Sequence, residues 1–137
     1  MSYDLMVFEE SVAPKNRKEF MEWYSAQIKW SEKHGYDDPF VTSHNLNNWF
    51  MEVIKKFPPM NGSGILQEEM DIIFESGNES YLTDYTIGTK IIYISFSWTI
   101  AEEAYETVKM LAIKNSVGFF DVSSSKGDIV FPDGIII

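Results

Sequence analysis

Three aspartates stand where acid–base chemistry could be built. Asp4 and Asp121 interrupt apolar, strand-like segments, and Asp84 precedes a third. Two carboxylates brought together on one sheet have their pKa values driven apart, which is the condition general acid–base catalysis uses. Convergence of these aspartates in a cleft between helix and sheet, beside Tyr85 or Trp98, would point to a ligand-binding domain or an enzyme. If each lies on the wet side of its own strand, they only solvate the surface.

Other chemistry is sparsely supplied. The chain has no cysteine, which excludes disulfides, thiolate zinc sites, iron–sulfur clusters and a cysteine nucleophile. The two histidines, His34 and His44, do not form a His-Glu-x-x-His motif. His34 with Asp37 and Asp38 comes nearest to a ligand set, but loop carboxylates usually face water, so no metal is expected. Gly62-Ser-Gly64 lacks the Lys-Ser/Thr of a phosphate loop and the strand before a dinucleotide turn. Ser123-Ser-Ser125 reads as a turn and no Gly-x-Ser-x-Gly elbow occurs. No cofactor is expected.

The aromatic residues are the stronger signal. Trp23, Tyr24, Trp49 and Trp98 fall on helical or strand stripes, where core packing is the expectation. Trp30 is the exception: it stands beside Ser31, Glu32 and Lys33, where the apolar face runs out. With Tyr36, Asp37 and Asp38 in the loop that follows, Trp30 makes the expected binding contact. The terminal Ile135-Ile-Ile137 is open between an edge strand, an inserted core segment and a pairing surface, so monomer and homodimer both remain.

The net charge of −10 over 137 residues, from 11 basic and 21 acidic side chains, repels phosphate backbones and anionic lipid. Nucleic acid and membrane are therefore not expected partners; a basic protein is. The amino terminus lacks a basic region followed by a long apolar run, and no apolar stretch approaches the roughly 20 residues that span a bilayer. The expectation is a cytoplasmic protein.

The elements that must position these residues follow from periodicity. Tyr3 to Phe8 alternates as a strand, with Tyr3, Leu5 and Val7 on one face and Asp4, Met6 and Phe8 on the other. Phe20, Trp23, Tyr24, Gln27 and Ile28 mark a helix from Lys15 to about Trp30, opening near Pro14. Thr42 or Ser43 caps a second, striped by Leu46, Trp49, Phe50, Val53, Ile54 and Phe57 and stopped by Pro58-Pro59. Residues 65–83 carry no firm period. Asp84 to Thr86 and Lys90 to Trp98 read as strands around Ile87-Gly-Thr89, the second with apolar character on both faces, as in a central strand. Thr99-Ile-Ala-Glu102 has capping-box spacing before a helix ending near Asn115 or Gly118. Phe119 to Ser123 and Asp128 to Phe131 form a last hairpin.

This order predicts a single α+β domain: four to five mainly antiparallel strands with two to three helices on one face, as a ferredoxin-like, split β-α-β elaboration. The opening Tyr3-Asp-Leu-Met-Val-Phe-Glu9, the Trp49-Phe50 helix ending at Phe57-Pro58, Asp84-Tyr-Thr-Ile-Gly88, Ala101-Glu-Glu-Ala-Tyr105 and Gly118-Phe-Phe-Asp-Val122 together resemble a family of small acidic bacterial proteins with no established activity. The resemblance implies a bacterial setting and assigns no site. The expected function is a non-catalytic protein-interaction module, of the immunity or regulatory type, that binds a basic partner. The alternative is a ligand-binding domain or enzyme using carboxylates in a helix–sheet cleft.

Overall fold

The structure is a computed structural model describing residues 2–29, 38–60, 71–72, 75–77, 79–124 and 127–137. Strand β1, Tyr3–Phe8, is flanked on both sides. It pairs antiparallel with β3, Ile91–Phe96, and with β4, Gly118–Phe120. Strand β2, Asp84–Ile87, lies outside β3, and β5, Ile129–Val130, lies outside β4. The five-stranded order is β2-β3-β1-β4-β5. Helices and an antiparallel sheet together make the fold α+β.

The alternation in β1 divides the core in two, as its period requires. Tyr3, Leu5 and Val7 enter one cluster with Ile92, Ile94, Phe96 and Tyr85. Met6 and Phe8 enter the other, with Ile91, Phe120, Ile129 and Phe131. The first face is covered by α2, His44–Val53, and α3, Ala101–Lys114. Leu46, Trp49, Phe50 and Val53 of α2 meet Ala104, Val108, Leu111 and Ala112 of α3 there. Two buried polar groups on this face are satisfied by backbone: the Tyr85 hydroxyl donates to the Phe57 carbonyl at 2.6 Å and the Trp49 indole to the Val108 carbonyl at 3.4 Å. The second face is covered by α1, Arg17–Gln27, through buried Phe20 and half-buried Trp23, Tyr24 and Ile28.

The aromatic helices are therefore not gathered on one face as expected. Strand β3 lies between β1 and β2, and helix α2 falls in the β1-to-β2 connection. The division of helices between two faces leaves the ferredoxin-like expectation unconfirmed. The physical reason is β1 itself: both of its faces are apolar toward Phe8, so each needs a cover.

Local chemistry moves several boundaries. Helix α1 begins at Arg17, because the Asn16 side chain accepts from the Glu19 amide at 3.2 Å and caps there instead of at Pro14. It ends at Gln27, short of Trp30. The Thr99 capping box does not form. Ser97 precedes it, accepts from the Thr99 amide, and closes a 3-10 turn over Trp98–Ile100. Helix α3 then starts at Ala101 with no side-chain cap, and Glu102 and Glu103 in its first turn still suit the helix dipole. In the less periodic region, Glu79–Tyr81 is a 3-10 turn and Asp71, Ile72 and Glu75 are helical. Thr83 pairs with Pro59 beside the β2 edge. The terminal isoleucines form an edge: Ile136 bridges Val130, and Arg17 donates to the Ile137 carbonyl oxygen at 2.9 Å.

Two glycines permit close approach. A Cβ on Gly118, which pairs with Phe8, would stand 2.1 Å from the Phe8 ring. A Cβ on Gly127 would stand 1.8 Å from the Asp121 carbonyl oxygen, so the last hairpin closes only without a side chain there.

Candidate functional site

The three sequence-predicted aspartates do not meet at one point. Asp4 and Asp84 both pair with Ser95, on opposite sides of β3, so they share a row and a face. Two strand spacings separate their backbones, about 10 Å. This is the half of the second face where α1 ends and the sheet turns polar: Asp84, Thr86, Tyr93 and Ser95 are all half-buried.

Asp4 is the terminus of a hydrogen-bonded chain. The Tyr93 hydroxyl donates to Asp4 Oδ2 at 2.5 Å, and Ser2 Oγ donates to Oδ1 at 2.6 Å. Tyr24 of α1 hydrogen-bonds Tyr93. Because the Tyr93 proton is committed to Asp4, Tyr24 donates and Tyr93 accepts. Burial raises the Tyr93 pKa well above the usual phenol range, and the Asp4 charge raises it further. Tyr24 is also raised, chiefly by burial. Both phenols stay protonated at neutral pH and act as donors. The chain fastens α1 to β3 and β1.

Asp121 lies on the other face, just past β4. The β4 residue Phe119 packs into the first-face cluster and Phe120 into the second, so alternation returns Asp121 to the first. Its Oδ1 is buried and, among the described residues, has no hydrogen-bond partner. Burial raises its pKa above the ordinary carboxylate value, nearby Asp128 adds to this, and the Ser124 amide opposes it. Tyr3 feels the same acid: burial, then Asp121, then Tyr105 push its phenol upward. The Tyr3 ring lies against Trp98 with centroids 5.0 Å apart, and Trp98 is 52% exposed.

Trp98 begins a second feature. The turn it opens leads into a shallow hollow of about 310 Å³ lined by Tyr81, Thr99, Ile100, Glu102, Glu103 and Glu106. Tyr81 donates to Glu103 Oε1 at 3.3 Å, and Lys56 Nζ lies 3.9 Å from Oε2. The Glu103 carboxylate raises the Tyr81 pKa through that hydrogen bond. The hollow is anionic, and exposed Met110 and Ile113 lie further along α3.

Among the remaining candidates, Trp30, Tyr36 and Asp37 lie outside the described residues, as does His34. Asp38 is exposed, and its carboxylate accepts from the Phe40 amide at 2.9 Å, capping the turn Pro39–Val41. That turn presents Phe40, 83% exposed. His44 opens α2, with Nε2 3.2 Å from the Asn48 side-chain nitrogen. Among the described residues no group of three or more His, Asp or Glu could hold a metal ion. No described helix is long and apolar enough to cross a membrane.

The exposure of Trp98 was missed by reading it as the last residue of a strand stripe. Its signal was the helix-start chemistry directly behind it: a chain that must turn at Ser97 takes the next side chain out of the pleat. Glu102, Glu103 and Glu106, one turn of one helix face, had the same signal.

The protein is thus an α+β chain with an acidic, aromatic-edged surface where β3 passes into α3. In comparisons with known proteins, no family model, no curated protein and no solved structure matches it. The resemblance drawn from the sequence therefore has no matching family model behind it and assigns no residue.

Proposed function

We propose that the protein is a non-catalytic interaction module of the bacterial cytoplasm that binds a basic protein partner, in an immunity-type or regulatory role. The observation that carries this reading is the surface at the start of α3. Half-exposed Trp98 stands at its head, and Glu102, Glu103 and Glu106 line the hollow behind it. An aromatic anchor beside a field of one sign is what a partner of opposite charge recognises. The net charge of −10 adds long-range attraction that speeds encounter.

The alternative, a ligand-binding domain or enzyme, draws its support from Asp4 and Asp84 sharing one row beside Tyr93. Asp121 lies on the opposite face and adds nothing to that row.

Affinity capture from bacterial lysate separates the readings. The expected result is a basic protein retained in near-stoichiometric amount at low salt, released as salt rises, and lost with the double variant Glu102→Lys, Glu106→Lys. Retention unaffected by both salt and charge reversal overturns the proposal, as does capture of no basic protein.

A further inference from the structure

We propose that the whole outward ridge of α3, from Trp98 to Ile113, seats an amphipathic, basic α-helix of the partner protein. The inference rests on the proposed function and deepens it: it names the partner's structural element and carries the contact beyond the hollow to the far end of α3.

The ridge is set by spacing. Glu102, Glu106, Met110 and Ile113 stand at i, i+4, i+8 and i+11 of one helix, so they share one side, and all four are exposed. Trp98 stands one turn ahead of Glu102, at the head of the 3-10 turn that leads into α3. Along roughly 20–25 Å the ridge therefore runs aromatic, acid, acid, apolar, apolar. The opposite side of α3 already buries Ala104, Val108, Leu111 and Ala112 in the core. The outer side of such a helix is ordinarily polar, yet Trp98, Met110 and Ile113 are 52%, 60% and 46% exposed on it.

The charge of the ridge defines its complement. Lys114 Nζ lies 2.9 Å from Glu52 Oε2. Lys109 shares the outward side, but its ammonium stands over the Tyr105 ring, 5.5 Å from the centroid. Among the described residues neither Glu102 nor Glu106 forms an ion pair. A basic segment supplies what these carboxylates lack. A second copy does not: ridge against ridge, it brings Glu102 and Glu106 of both chains together, each chain carrying a net charge of −10. An extended segment fits poorly too. The backbone groups of α3 are bonded within the helix and offer no edge for strand pairing, whereas a docked helix satisfies its own backbone. Its i, i+4 spacing of about 6 Å repeats that of the ridge. A helix with apolar residues at both ends and basic residues between them then matches the ridge position by position. The hollow between Tyr81 and the first turns of α3 gives the seat depth on one flank.

The test uses the whole protein and synthetic peptides of about 18 residues, followed by 1H–15N NMR. The probe places leucines at the two ends and lysines in the middle of one helical side. One control scrambles its order, and a second carries a central pair of prolines that breaks the helix. The probe is expected to shift the Trp98 indole N–H and the amides of Glu102, Glu106, Met110 and Ile113 saturably, and both controls to bind at least about tenfold more weakly. Met110→Ser with Ile113→Ser keeps every charge and weakens the probe by about tenfold. Glu102→Lys with Glu106→Lys abolishes the saturable shift. Glu19→Lys with Glu22→Lys makes an equal charge change on exposed positions of α1, over the other face of the sheet, and leaves the affinity within about twofold. Spectra unchanged away from each substitution show that the fold persists. Equal binding by the proline peptide overturns the inference, as does an equal loss from the α1 pair. So does the absence of saturable shifts up to about 1 mM peptide. Ridge binding without capture of a basic protein would remove the proposed function alone; capture that survives Met110→Ser with Ile113→Ser would remove only this mode of docking.

Discussion

The two faces of the sheet solve the same burial problem differently. The first face is closed by two helices whose apolar stripes run their full length, and its buried Tyr85 and Trp49 donate to backbone carbonyls. Among the described residues the second is closed by one helix and by the strand β5 region, and only Phe20 of α1 is fully covered. Past Tyr24 the second face changes from rings to hydroxyls and carboxylates, and a hydrogen-bonded chain replaces packing as the tie between α1 and the sheet. A face with a continuous stripe is held by area. A face whose stripe fails halfway is held by area on one side and by directed bonds on the other.

Truncating one tryptophan on each face tests that contrast most severely. Trp49→Ala removes a fully buried indole from between α2 and α3 and is expected to cost about 3–5 kcal/mol. Trp23→Ala removes a half-buried ring that meets Phe8 and Phe20 from the outside, and is expected to cost about 1–2 kcal/mol, since water can refill its place. Chemical denaturation measures both. Equal losses would mean that the second face is as closed as the first.

Gly118→Ala attacks the seam between β1 and β4. The new methyl meets the Phe8 ring, which is itself fixed between Phe20 and Phe131. A loss of about 1–3 kcal/mol is expected from overpacking. Phe8→Leu in the same chain should recover part of it, giving a coupling of about 0.5–3 kcal/mol in a double-mutant cycle. Strict additivity would show that the ring moves aside freely.

How much of this was legible in the sequence follows the same division. Strand β1 and its two faces, the α2 stripe and the α3 stripe were readable, because an uninterrupted period leaves one way to bury the side chains. The assignment of α1 to the opposite face was not readable: the period says which side of a helix is apolar, not which side of a sheet receives it. The start of α1 and the turn at Trp98 were decided by one hydrogen bond each, from Asn16 and Ser97, in competition with caps of nearly equal standing. The separation of Asp121 from Asp4 and Asp84 depended on strand pairing, which residue spacing does not contain.

Tyr93→Phe sharpens the polar half of the second face. It deletes the donor to Asp4 and the acceptor for Tyr24 while leaving the ring in place. A loss of about 1 kcal/mol is expected, at the level of a partly exposed hydrogen bond to a charge. The Tyr24 ring resonances should shift as its hydroxyl loses this partner. If Tyr93→Phe is neutral and Tyr24 is unmoved, the chain does not hold α1.

The smallest expected effect concerns an unpartnered carboxylate oxygen at the margin of the closed face. Asp121 has a pKa above its ordinary 3.8 in the folded protein, first because of burial and then because of Asp128. In the pH window between 3.8 and that raised value the folded state binds more protons than the unfolded state. The Asp121 contribution to stability therefore falls as pH rises through the window and stays lost above it. Asp121→Asn carries no charge to desolvate, so its Tm should lie slightly above that of the parent at pH 7. The difference should shrink as pH falls below 4, where the parent acid is neutral as well. Thermal melts of the two proteins from pH 3.5 to 8 follow the difference directly, in steps of roughly half a pH unit. The opposite trend, with the variant less stable at pH 7 and the gap closing in acid, would mean that the charged carboxylate has a donor beyond the Ser124 amide and that the orphan oxygen is not an empty acceptor.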